Sequence, residues 1–210
     1  MKRYHQLYTD IANTLTVHRY EYLGISILFF IGILTGSIFA ATSDNYFKIR
    51  DSFHIFWSAY PLQSASNFEI LQSSLFHYLQ LAILLWLSGW SVWLLPIGVI
   101  QIIAKSFRTG YVVACLLRAY SLRGMVIALL SLLPQNLILI PALCFYGVYQ
   151  ISFFKERRYI AGNPGHHTLK RQIYRRNAKI TLLFLLLLFL CAWLESYVVP
   201  VLLHAICGIV

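Results

Sequence analysis

Lys105 and Arg108 stand with Gln101 in a stretch, Val92 to Leu117, whose other residues are mostly apolar. Further along, Gln135 and Asn136 follow a proline in the run Leu132-Leu133-Pro134-Gln135-Asn136, and Glu195 lies near the far end of the last apolar run. Charges and amides at membrane depth are costly, so they face water, snorkel or pair inside a bundle, and by default they are functional candidates. A proline inside a span frees backbone carbonyls, which Gln135 and Asn136 are placed either to satisfy or to leave while lining a cavity. Covalent and metal chemistry have less to work with. The chain has no His-Glu-x-x-His, no Gly-rich phosphate loop, no Cys-x-x-Cys pair and no Gly-x-Ser-x-Gly elbow. Of its seven acidic residues only Glu195 falls within an expected span, so paired-carboxylate catalysis is hard to build. Glu195 and His204 are about two and a half helical turns apart, on opposite faces, which favours a capping or headgroup role for Glu195 over a proton relay. His166 and His167 follow Asn163-Pro164-Gly165 in a polar turn and read as solvent-exposed rather than metal-binding. No catalytic, cofactor-binding or metal-binding residue is assigned.

The elements that must position these groups follow from composition. Hydrophobic residues make up 59% of the 210 and charged residues 11%, against about 45 to 50% and about 25% in soluble domains. Several runs reach the roughly 20 apolar residues that a membrane span needs. The expected fold is all-α: a single domain forming a polytopic membrane bundle of about five transmembrane helices, at about 22–41, 78–91, 92–117, 125–154 and 180–199. Cys115, Cys144, Cys191 and Cys207 lie in or at the ends of apolar stretches and read as small hydrophobic residues, not disulfide partners.

In the first span Gly32, Gly36 and Ala40 recur every fourth residue, a stripe that lets another helix come close, either within this chain or from a second copy in a homo-oligomer. Ahead of it, Tyr4, Tyr8, Ile11, Leu15 and His18 have helical spacing and suit either an interfacial helix or a frayed tail. The segment 43–75 is expected outside the membrane. Within it Tyr46, Ile49, Phe53, Phe56 and Tyr60 form the stripe of an amphipathic helix that lies at headgroup level or offers a partner surface, with Phe53, Phe56, Trp57 and Tyr60 as candidate partner anchors. Pro61 ends that helix, and Ser66 with Glu69 forms a capping box for the next, which begins near Asn67. The long stretch 79–117 is cut near Gly89; a second parse ends one helix at Lys105 and leaves 109–117 re-entrant. The fourth span is expected to be broken or kinked at Pro134, with Pro141 beyond.

The net charge of +10 gathers in one place: Lys155, Arg157, Arg158, Lys170, Arg171, Arg175, Arg176 and Lys179 face only Glu156 in the segment 155–179. Directly against a span, such a loop is expected on the cytoplasmic side, in contact with anionic lipids rather than nucleic acid. Lys2 and Arg3 place the N-terminus on the same side. In 43–75 Lys48 and Arg50 are outnumbered by Asp44, Asp51 and Glu69, as suits the outer side, whereas Arg118 and Arg123 would also face outward, against the trend.

Several blocks together resemble the stage II sporulation protein M family, small membrane proteins of endospore-forming bacteria. They are Phe76-His77-Tyr78, Leu95-Pro96, Leu132-Leu133-Pro134-Gln135-Asn136 through Pro141-Ala142, and Glu195-Ser196-Tyr197 with Pro200. Where the wider family often carries an acidic residue shortly before the second proline, this chain has Leu139, a departure that points to the sporulation branch. The resemblance implies a non-enzymatic protein of the mother-cell membrane at the sporulation septum. It would act in engulfment of the forespore by holding stage II sporulation proteins P and D, which degrade peptidoglycan. A small transporter or channel built on Lys105, Arg108, Gln135 and Asn136 is the competing expectation.

Overall fold

Inside a bilayer a spanning segment must satisfy its own backbone, and for runs this apolar the solution is the helix. The computed structural model describes residues 19–43, 51, 67–162 and 167–202, and among these the only non-helical stretches are short connections. The helices are α1 (Arg19–Thr42), α2 (Asn67–Ser88), α3 (Leu95–Ala161) and α4 (His167–Trp193). A π-helical segment, Leu194–Val198, continues α4. Four helices among the described residues are long and apolar enough to cross a membrane. The side chains expected in the amphipathic outer helix, Phe53, Phe56, Trp57 and Tyr60, lie outside the described residues, as do the N-terminal stripe and Cys207.

Counted as separate helices, the expected five become four, because α3 supplies two of the expected stretches. The third and fourth expected spans belong to one helix of 67 residues, interrupted only at Ser121, where φ is 51° and ψ −127°. Ser121 is the one non-glycine residue at positive φ among those described, a conformation that costs on the order of 1–3 kcal/mol. There α3 folds back on itself. A Cβ on Gly124 would collide with the carbonyl of Leu116, and one on Gly147 would lie 2.8 Å from Ile102 Cδ1, so the arms 95–120 and 122–161 lie side by side. The break expected at Pro134 is absent: helical backbone runs through Pro134 and Pro141. Neighbouring helices re-satisfy and clamp a membrane helix around its prolines; here Leu139 and Leu143 are wholly buried in the core, and Cys191 Sγ approaches the Gln135 carbonyl at 3.7 Å. The re-entrant parse of 109–117 also falls, since that stretch is continuous helix.

Small residues set the closest contact in the bundle. Along the seam between α1 and the first arm of α3, Gly32 faces Ser106, Gly36 faces the Phe107 carbonyl, and Gly110 faces the Ile33 carbonyl. Gly32 against Ser106 and, further along both helices, Ala40 and Ala41 against Arg118 make the two helices parallel. Ser37 Oγ donates to the Gly110 carbonyl at 3.1 Å across the seam. The stripe is thus buried within the chain. At the far end of α1, Arg118 Nη1 donates to the carbonyls of Ala40 and Ala41, each at 2.8 Å. Those are last-turn carbonyls with no helical donor, which explains why a basic residue stands on that side.

At the opposite end, Glu21 pairs with Lys155 at 2.8 Å and Glu156 with Arg176. Arg157 lies over the Trp90 ring, 4.8 Å from its centroid. The basic loop expected over 155–179 is instead a basic helical hairpin, because α3 runs to Ala161 and α4 starts at His167. Large apolar side chains such as Phe30, Leu34, Leu137 and Leu186 face outward along the helices, as lipid contact requires.

The seam gives a direct test. Gly36→Ala forces backbone apart and is expected to lower the melting temperature of the detergent-purified protein, by the equivalent of about 1–3 kcal/mol. Gly24→Ala, where a Cβ meets nothing within 4 Å, should leave it unchanged or raise it.

Candidate functional site

α2 carries Glu69, Ser73, His77 and Gln80, three or four residues apart, on one side of a largely apolar helix. Across from them the first arm of α3 presents Gln101, Lys105 and Arg108. The two helices are pinned together just beyond the turn at Gly89, where a Cβ on Gly98 would lie only 2.8 Å from Ser88 Cβ. From that contact they diverge. Between them opens a groove of about 1020 Å³ running along α2 from Leu84 to Glu69, about 22 Å of helix. Its floor includes Glu195.

The floor is built by a hydrogen-bonded cluster. Tyr78 Oη lies 3.0 Å from Glu195 Oε2 and 3.2 Å from Gln135 Oε1, so its single proton is shared between two acceptors. Lys105 Nζ sits over the Tyr78 ring, 5.5 Å from its centroid, and contributes a cation–π contact. α2, both arms of α3 and the π segment meet at this point. Glu195 belongs to the π segment, whose wider turn is often found at functional positions in helices. Ser196 beside it is wholly buried, its Oγ donating to the Ala192 carbonyl at 2.8 Å.

Of the intramembrane residues singled out from sequence, Lys105, Arg108 and Glu195 line the groove and Gln135 joins them through Tyr78. Asn136 is buried beside them, and its Oδ1 has no hydrogen-bond partner. Glu195 therefore faces the groove and accepts from Tyr78, which corrects the capping or headgroup role; His204 lies outside the described residues. Sequence reasoning gave Tyr78 no role in the site, placing it at the start of the second span and in a family block, and it assigned Glu69 to a cap. The polar face of α2 was the signal: hydroxyl, imidazole and amide groups repeat there every three or four positions in a segment that lipid alone would not accommodate.

No group of three or more metal-ligating side chains occurs among the described residues. Among the described residues Cys115, Cys144 and Cys191 are free, buried thiols. Charged and amide side chains gathered in an open-sided groove between membrane helices define a polytopic helical membrane protein with an intramembrane polar groove. The particular family follows from comparison with known proteins: residues 25–200 match the family model described as Stage II sporulation protein M, and the chain belongs to that family. No curated protein and no solved structure matches it. It is thus a multi-pass membrane protein of a sporulation family.

Tyr78→Phe removes the hydroxyl that links Glu195 and Gln135, and is expected to destabilise the purified protein by about 1–3 kcal/mol in thermal unfolding. Paired with Glu195→Gln in a double-mutant cycle it should show a coupling energy of roughly 0.5–3 kcal/mol; strictly additive effects would mean that the bond contributes nothing.

Proposed function

We propose that the protein is a non-enzymatic membrane scaffold for the peptidoglycan-remodelling machinery that drives engulfment of the forespore during sporulation. Family membership supports the sporulation setting. The observation that carries the scaffold reading is the form of the site: a groove that opens sideways along α2 and narrows to direct contact between Gly98 and Ser88. Such a shape suits docking of a partner segment. The partners in this proposal are stage II sporulation proteins P and D, held at the mother-cell side of the septum. Phe53, Phe56, Trp57 and Tyr60 are the proposed outer anchors.

Orientation follows in the same reading. The basic hairpin formed by the end of α3 and the start of α4 faces the cytoplasm together with the N-terminus, where each positive side chain near an anionic surface contributes roughly 1 kcal/mol. The end of α1 and the start of α2, joined by the segment around Phe53 to Tyr60, then lie on the outer side.

Deletion of the gene should arrest engulfment, and tagged protein purified from sporulating cells should bring down a wall hydrolase. Normal engulfment in the deletion strain, or purification without any hydrolase, would sink the proposal. Replacing Phe53, Phe56, Trp57 and Tyr60 by Ala should abolish the co-purification while leaving the amount of protein in the membrane unchanged.

A further inference from the structure

We propose that the groove between α2 and the first arm of α3 is a binding site for a phosphate-bearing anion, held by Lys105 and Arg108. The inference does not depend on the scaffold reading. Both cations line the groove, and among the described residues neither takes part in an ion pair or donates a hydrogen bond; Lys105 meets only the face of the Tyr78 ring. Of the acids nearby, Glu195 accepts from the Tyr78 hydroxyl and makes no contact ion pair with either cation, and Glu69 stands at the other end of the groove with an interaction of its own.

Two unpaired cations at membrane depth are a large electrostatic liability, and water in an open-sided groove screens them only in part. An anion between them removes it. Three residues apart on one helix, the two side chains start about 5–6 Å from each other, so an ammonium and a guanidinium converge on a single tetrahedral group. The guanidinium fork matches two phosphate oxygens at once, and the ammonium acts as a point charge on a third. Ser73, His77 and Gln101 line the same space and supply further donors. The volume of about 1020 Å³ exceeds what one ion needs and holds a phosphate with a substituent attached. Ile83 and Leu84 on the groove wall suit an acyl chain leaving through the open side.

The phosphate has two sources, a lipid headgroup sliding in from the bilayer or a soluble phosphate entering past Glu69. The full chain, purified in detergent, would be titrated with phosphatidylglycerol, phosphatidylcholine or inorganic phosphate, and followed by native mass spectrometry and thermal unfolding. The expected result is retention and stabilisation by phosphatidylglycerol above phosphatidylcholine, or, for the soluble source, stabilisation by inorganic phosphate alone. Lys105→Gln with Arg108→Gln should weaken binding roughly ten- to hundredfold, and Lys105→Arg with Arg108→Lys should keep it. Lys170→Gln with Arg171→Gln, in the basic hairpin, should not change it, which separates the groove from general attraction to anionic lipid. Should the double Gln variant fail to fold, Arg108→Gln alone, at an exposed position, reads the same loss. Unchanged binding by the Gln variants, or equal retention of phosphatidylcholine, overturns the proposal. So does a double variant that binds lipid normally but no longer co-purifies with a hydrolase, since that would assign the groove to a partner's helix.

Discussion

The closest approach in the bundle, backbone against backbone along the seam of α1 and the first arm of α3, sets the geometry of everything else. Between apolar helices in lipid there is little hydrophobic drive for association, so contact depends on van der Waals packing and on polar groups that find each other. Gly32, Gly36 and Gly110 permit the approach because a side chain at any of them would overlap the facing helix. Once Ser106 and Gly110 are fixed against α1, rotation of the arm about its axis is fixed as well. Lys105 and Arg108, on neighbouring positions of the same helix, are then turned toward α2 instead of toward lipid.

The turn at Ser121 extends the same logic. Folding a helix back with a single residue out of helical geometry leaves little room between the arms, and Gly124 provides it where the Leu116 carbonyl passes. Leu116, Ile127 and Ala128 then bury one another with Val199, so the strain at Ser121 is offset by packing immediately beside it. Arg118, one turn before, reaches across to the exposed carbonyls ending α1, and ties the turn to the seam. Turn, cap and seam form one unit.

Polar groups within the membrane are treated in two different ways. Some are closed off: Tyr78, Glu195 and Gln135 share a proton, Ser37, Ser106 and Ser196 bond backbone carbonyls, and Arg118 caps a helix. Lys105 and Arg108 are left open to a groove. The π segment belongs to this contrast, since its extra residue per turn brings Glu195 to the groove while Ser196 is turned into the core.

Much of this was legible in the residues. Apolar runs of bilayer length, the basic bias of 155–179 and the family blocks fixed a helical membrane protein of a sporulation family, because bilayer thickness and backbone satisfaction leave few alternatives. Lys105, Arg108, Gln135 and Glu195 stood out for the same reason: lipid makes every buried charge conspicuous. Their meeting place did not. Residues from α2, α3 and the π segment converge only through helix rotations set by glycine contacts many positions away, and no local pattern records a rotation. The break expected at Pro134 lies at Ser121 for a related cause: a proline weakens a helix locally, but the packing of Leu139 and Leu143 decides whether it yields, whereas an ordinary serine turns the chain because both arms bury more surface by folding together.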